Sequence, residues 1–272
     1  MNRLKIGIKG AGDMATGLAW CLYQANICDI FMMEIKAPLS VRRGVCFSDA
    51  IYTSKKTVEG VEAVKTLDEN SIFQAWKESK IAVIADPCWK MIESFKPDII
   101  IDAIIAKKNL GTTMEEAPLV IGLGPGFEAG RDVHLVIETN RGHNLGRAIV
   151  SGPAEKNTGI PGNINGFTKE RVLRAPAEGL FKSDFRIGML VKAGDIIGKV
   201  DKKNVAAQIS GILRGLIKPD TMVKKGLKIG DIDPRGDQKY CKTISDKART
   251  VAGGVLVEVL KRFNCPSDRN MT

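Results

Sequence analysis

Residues Gly10 to Ala15 (Gly-Ala-Gly-Asp-Met-Ala) form a G-x-G-x-x-A turn between an apolar run and a helical pattern. In such a turn Gly10 permits the tight bend, Gly12 lets a diphosphate approach the backbone, and the small Ala15 brings helix close to strand. The helix that follows offers unpaired N–H groups and a partial positive charge to a phosphate. Glu34 ends a second apolar run about 20 residues further on, where a carboxylate can hold a ribose hydroxyl. Asp13 argues the other way, because it sets a negative charge where the phosphate would sit. Its other role is as a helix N-cap, worth about 1 kcal/mol. A glycine turn that serves packing alone is the alternative for the whole motif.

Two more groups carry possible chemistry. Arg42 and Arg43 follow the second apolar run, and guanidinium groups grip phosphate or carboxylate bidentately; solvated surface arginines are the alternative. Further on, glycines 122, 124, 126 and 130 crowd one short stretch. Gly124 and Gly126 expose backbone N–H groups there, a candidate anion nest. Arg131, Arg141 and Arg147 could neutralise a phosphate, while His143 in the loop after Glu138 could exchange protons or orient a ligand. His134, at the start of a strand, reads as structural. With 2 histidines in the chain a His-rich metal site is excluded, and no metal site is expected. The 6 cysteines (Cys21, Cys28, Cys46, Cys88, Cys241, Cys265) include no C-x-x-C pair and read as free thiols. Cys46 and Cys88 carry no local activating signature for selenium chemistry.

The elements that must position these residues follow from hydrophobic spacing. Leu4–Lys9 reads as a first strand and Asp29–Ile35 as a second, buried one, while Lys80–Ala85 and Asp98–Ala106 are continuous apolar runs of the kind found in doubly covered parallel strands. Val61–Leu67 reads as a third strand or an edge segment. Asp13–Gln24 has helical spacing, Ser71 caps a short helix over Ile72–Glu78, and Trp89–Phe95 is helical up to Pro97. Pro118–Leu123, Val133–Thr139 and Arg147–Val150 read as strands. Strands alternating with helices predict an α/β, Rossmann-like, mostly parallel sheet. Residues 151–170 are rich in turn formers and read as a long functional loop or a linker.

An ungapped duplication comes next. Ala175–Val200 overlies Ala207–Ile232, with Ala175/Ala207, Gly179/Gly211, Val191/Val223, Lys192/Lys224, Gly194/Gly226 and Gly198/Gly230 identical. A repeat this short cannot bury its own apolar face, so the copies must pack on each other. The pattern is similar to the barrel-sandwich (biotinyl/lipoyl-like) β module. The connection at Asp201-Lys202-Lys203-Asn204 is too short to present Lys202 or Lys203 as a prosthetic-group carrier. Ile244, Ala248, Val251, Val255, Val259 and Phe263 then form one helical face, with Thr243 and Asp246 as a possible capping box. Gly253 and Gly254 inside that helix require close packing, since each costs about 1 kcal/mol relative to alanine. The tail after Phe263 is expected to be disordered. The predicted organisation is 1–165, a nucleotide-binding domain containing the glycine-rich segment; 171–236, the β module; and 240–264, a packing helix.

Composition sets the remaining bounds. The net charge is +10, from 41 basic and 31 acidic residues, and much of the excess lies in 171–232. That module could meet an acidic partner, or simply carry a solvated lysine-rich surface. Few tyrosines and tryptophans accompany the charge, so nucleic acid is not expected as a partner. No apolar run approaches a membrane span, and the N-terminus enters a strand pattern directly. A cytoplasmic protein without a membrane association is expected.

Along nearly its whole length the chain resembles the YqeB-type accessory proteins of selenium-dependent molybdenum hydroxylases. The segments that carry the resemblance are KGAGDMATGLA (9–19), PLSVRRGVCFSDAIY (38–52), GLGPGFEAGRDVHLVIETNRGHNLGR (122–147), NTGIPG (157–162), SGILRGLI (210–217) and GLKIGDIDPR (226–235). The resemblance implies a role in maturing a hydroxylase of the xanthine dehydrogenase type, with that molybdenum hydroxylase as partner. It supplies no catalytic residues. Combined with the glycine turn, it leads to a small nucleotide-type ligand, with molybdopterin dinucleotide or NAD(P) as candidates. Gly10, Gly12, Asp13 and Ala15 would meet its diphosphate and Glu34 its ribose. Arg42, Arg43, Gly124, Gly126, Arg141 and His143 would line the rest. Two alternatives stand beside this: an NAD(P)-dependent oxidoreductase, and a non-enzymatic scaffold docking the hydroxylase through the basic module.

Overall fold

A computed structural model describes residues 3–264. The tail from residue 265, with Cys265, lies outside the described residues. The first part of the chain forms strands β1 (Lys5–Lys9), β2 (Asp29–Glu34), β3 (Lys55–Val58), β4 (Val61–Thr66), β5 (Ile81–Ala85), β6 (Ile99–Asp102), β7 (Leu119–Leu123), β8 (Glu128–Ala129), β9 (Leu135–Ile137), β10 (Ala148–Ile149) and β11 (Gly152–Pro153). Its helices are α1 (Asp13–Gln24), α2 (Ala50–Thr53), α3 (Glu69–Lys77) and α4 (Lys90–Phe95). Nine strands join in one sheet of order β10-β9-β7-β6-β1-β2-β5-β4-β3, while β8 pairs with β11.

Alternate residues of each inner strand enter opposite cores, as the two-residue period of a strand requires. Ile30 and Met32 face the layer containing α1, whereas Phe31 and Met33 face the layer of α3 and α4. All four are fully buried, each contributing about 1.5–3 kcal/mol by area. Phe31, Phe73, Trp76 and Phe95 form an aromatic cluster on the second face, with Trp76 and Phe95 5.4 Å apart edge to face.

The second part forms β12 (Val172–Arg174), β13 (Gly179–Lys182), β14 (Leu190–Val191), β15 (Ile196–Val200), β16 (Lys203–Ala206), β17 (Gly211–Leu216), β18 (Thr221–Val223) and β19 (Lys228–Asp233). These make two four-stranded sheets, β12-β19-β17-β14 and β16-β15-β13-β18. The copies interlock: β13 of the first pairs with β18 of the second, and β17 of the second pairs with β14 of the first. Helices α5 (Lys239–Lys242) and α6 (Asp246–Phe263) follow. Helix α6 returns to the first sheet and lies on α1, where a Cβ on Gly17 would stand 2.8 Å from Ala248 Cβ. Gly254 meets Gly146 so closely that a Cβ there would collide with the Gly146 carbonyl, while Gly253 faces open space.

Four expectations are corrected. The Rossmann-like, mostly parallel sheet followed by a biotinyl/lipoyl-like barrel-sandwich module gives way to a nine-stranded mixed sheet and two separate antiparallel sheets. Edge strands β3 and β10 run antiparallel to their neighbours. Strand β3 was silent in the sequence because only Val58 of its four residues is buried. The strand expected over Asp98–Ala106 stops at Asp102, and the chain beyond it turns through Ile105 and Lys107, at positive φ of 60° and 64°. Helix α3 is capped by Asp68, with Ser71 returning the capping box from the third position. Helix α6 is capped by Ser245, which accepts from the Ala248 N–H, and not by Thr243.

Candidate functional site

A cleft of about 790 Å³ lies between the start of α1 and the sheet that contains β19. Asp13 and Met14, the first residues of α1, line it, as do Ser245, Asp246 and Lys247 at the start of α6. Helix starts direct free N–H groups and partial positive charge outward. Gly12 is the N-cap of α1 and no side chain caps that helix. Residues 157–165 of the turn-rich segment form another border. Ile105 and Lys107, both in left-handed conformation, line the cleft as well. A β-branched residue such as Ile105 avoids that conformation, so the loop after β6 is strained.

The cleft is basic. Its acidic lining consists of Asp13, Glu155 and Asp246. Asp13 is ion-paired to Arg42 at 3.1 Å and Asp246 to Arg141 at 2.8 Å. The Arg141 hydrogen bond holds the Asp246 carboxyl well below the usual carboxylate range, at about 2. Arg171, Arg214, Lys228, Arg235, Lys107 and Lys247 add positive charge. Burial, then Arg141, pulls Lys247 below its ordinary value.

The expected site residues are only partly brought together. Gly10 has φ of 90° and donates its N–H to the Met33 carbonyl at 2.7 Å, so it makes the bend. Ala15 is fully buried. A Cβ on Gly12 would come no closer than 3.5 Å to Ser40 Oγ, so nothing in the protein itself demands glycine there. Glu34 is already engaged, accepting from the Ala11 N–H at 3.0 Å and the Ile35 N–H at 2.8 Å. Burial raises its pKa while these two N–H groups oppose the shift. The carboxylate thus clamps the glycine turn. Asp13 is no N-cap, since that position is Gly12.

Arg42 and Arg43 diverge. Arg42 donates to both Asp13 oxygens and to the Tyr240 and Thr243 carbonyls at 2.9 Å. Arg43 turns away to Asp49 at 2.8 Å. Gly124 and Gly126 are packing glycines: a Cβ would collide with Thr139 Oγ1 at the first and lie 2.5 Å from the Lys108 N at the second. Arg141 lines the cleft, whereas His143 sits exposed in the turn over 142–145 and is not among the lining residues. His134 is structural, its Nδ1 accepting from the Val120 N–H at 3.0 Å. Glu138 is fully engaged by the N–H groups of Thr139, Asn140 and Glu155. Cys21, Cys28, Cys46, Cys88 and Cys241 are free thiols.

Two groups escaped the sequence reading. One is the basic wall of Arg171, Arg214, Lys228 and Arg235, whose members come from separated segments and resemble ordinary surface charge in the sequence. The other is a buried network at the strand ends. Lys9, fully buried, donates to Thr112 Oγ1 at 2.8 Å and Glu116 Oε1 at 2.7 Å, and Thr112 donates to Asp102 Oδ2 at 2.8 Å. A charged residue at the end of one apolar run, Lys9, and one inside another, Asp102, were the available signal; they stand opposite each other in the sheet.

The chain is 46% identical over 249 residues to "Uncharacterized protein YqeB" of Escherichia coli (strain K12), an alignment covering 92% of this chain and 46% of that protein. The chain belongs to the YqeB-type family. It spans about half the length of that relative, at 46%. No family model matches it. Among solved structures it is similar to a succinylglutamate desuccinylase/aspartoacylase from Rhodobacter sphaeroides, with 15% identity, 55% of this chain and 61% of that one covered, and a TM-score of 0.23. It is also similar to an aspartoacylase family protein from Mesorhizobium loti, with 9% identity, 84% of each chain covered and a TM-score of 0.26. Scores this low carry no argument about activity. Among the described residues, no helix is long and apolar enough to cross a membrane.

Proposed function

We propose that the chain acts in maturing a selenium-dependent molybdenum hydroxylase of the xanthine dehydrogenase type, holding an anionic, nucleotide-bearing ligand in its cleft. The dinucleotide form of molybdopterin is the candidate cargo. The observation that supports this most is the cleft's charge: two helix starts and a surplus of arginine and lysine converge on a space of about 790 Å³, within the range that suits small-molecule ligands. A diphosphate suits that lining, because helix N–H groups and guanidinium forks both recognise phosphate oxygens. The hydroxylase as beneficiary rests on the family resemblance.

The ribose contact at Glu34 is not part of this proposal, since the carboxylate is spent on the Ala11 and Ile35 N–H groups. That also removes the main support for the NAD(P)-dependent alternative. The scaffold alternative loses part of its basis, because Arg171, Arg214, Lys228 and Arg235 line the cleft.

Equilibrium titration of the full chain with molybdopterin dinucleotide and with NAD tests the reading. Gly12 can accept a side chain without collision, so Gly12→Asp is expected to leave the fold intact and weaken dinucleotide binding at least tenfold. Equal affinities of wild type and Gly12→Asp would remove the helix start from the site.

A further inference from the structure

We infer that the wall of the cleft built on β12, β19 and β17 is the subsite for a doubly charged diphosphate group. This rests on the reading of the cleft as an anionic-ligand site and assigns the diphosphate of that ligand to named residues.

The wall is assembled from neighbouring strands, in the order β12-β19-β17. Asp231 and Asp233 are two residues apart on β19, hence on one face of the strand, and both are fully buried. Arg171, just before β12, donates to Asp231 Oδ1 at 3.1 Å. Arg214 on β17 donates to Asp231 Oδ2 at 2.6 Å and Asp233 Oδ2 at 3.3 Å. Arg235 grips Asp233 through both oxygens, at 2.9 and 2.7 Å. Lys228 reaches Asp231 only at 3.4 Å and its side chain is 40% exposed.

Four cations therefore lean on two carboxylates. The carboxylates are sealed behind while all four cations line the cleft, leaving two positive charges uncompensated on that side. Burial pushes Asp231 upward, but Lys228, Arg214 and Arg171 outweigh it and hold it below the usual carboxylate value, so the anions cannot shed their charge to relieve the cluster.

Arg171 gives the second, independent sign. Its side chain is 6% exposed. It donates to Asp231 and, through Nη2, to the Gly162 carbonyl at 3.1 Å. Among the described residues its Nε has no partner. Buried guanidinium N–H groups normally find acceptors; Arg171 lines the cleft, so a bound oxygen that a small turn of the guanidinium brings within reach of the sealed Nε would supply one. The array is already fixed by its aspartates, so an incoming anion meets donors that need little rearrangement. A dinucleotide's diphosphate bridge, with one charge on each phosphorus, matches the surplus of two charges; a single carboxylate leaves one unmatched.

The test is calorimetric titration of the full chain with inorganic pyrophosphate, with acetate as the singly charged control. Wild type is expected to bind pyrophosphate and not acetate, more weakly as salt rises. Lys228→Gln, which leaves Arg171 and Arg214 on Asp231, is expected to keep the ligand-free melting temperature and lose at least tenfold in affinity. Arg171→Lys, which keeps the charge but not the fork, is expected to lose affinity as well. If Gly12→Asp weakens pyrophosphate binding while Lys228→Gln and Arg171→Lys bind like wild type, the subsite is wrong and the cleft reading survives. If the two wall variants lose affinity and Gly12→Asp does not, the subsite stands without the helix start. Absence of pyrophosphate binding by wild type overturns both.

Discussion

Glu34 and Arg42 show how a side chain of the right type at the right spacing can be put to another use. Glu34 stands where a ribose-binding carboxylate would, yet its oxygens take the Ala11 and Ile35 N–H groups. A one-dimensional spacing rule fixes where a carboxylate starts; it does not fix which donor it meets first, and a neighbouring backbone N–H lies nearer than any ligand. Arg42 is likewise consumed by contacts from residues about 200 positions away, which no local pattern announces. The Arg141–Asp246 pair has a testable pH signature. The Arg141 hydrogen bond depresses its carboxyl from the ordinary carboxylate range to about 2, so the stabilisation it gives is present above the unfolded value and lost as pH falls towards the folded one. The melting temperature of wild type is expected to exceed that of Asp246→Asn at pH 7, with the difference closing between about pH 4 and pH 2. A gap that persists at pH 2 would count against the ion pair as its source.

At the scale of elements, long apolar runs and strong helical spacing were the legible parts. Helix α1 occupies Asp13–Gln24 as the spacing predicts, and the cores of β1, β2, β5 and β7 fall within the predicted strands, where apolar side chains demand burial. Hairpin strand β3 and the stop of β6 were illegible for opposite reasons: the first has too few buried residues, and the second is followed by a turn through Ile105 at positive φ that an apolar side chain does not advertise. The paired glycines of α6 separate helix propensity from packing. Gly253→Ala meets open space and is expected to stabilise the protein by about 1 kcal/mol through helix propensity. Gly254→Ala gains the same propensity but drives a methyl into the Gly146 carbonyl, with a net loss of about 1–3 kcal/mol expected from overpacking. Urea unfolding of both variants decides it; equal shifts would mean that α6 does not approach Gly146 this closely.

For the whole molecule, the cleft was the least legible feature, because it exists only where α1, the 157–165 segment, the β19 sheet and α6 meet. Arg42 is the stitch across that meeting, tying Asp13 to the segment just before α6. Arg42→Ala is therefore expected to raise amide hydrogen exchange tenfold or more in residues 240–246 and at the start of α1, with the strands of the sheet unchanged; protection equal to wild type would show the stitch to be dispensable. The exchanged strands of the duplicated region have a further meaning. Neither half can complete its own sheet, since each lends an edge to the other. A single half on its own would have to find another molecule of its kind to fold, at a cost set by concentration. Joined head to tail in one polypeptide, the halves meet at a high local concentration fixed by their short connection, and dilution no longer separates them.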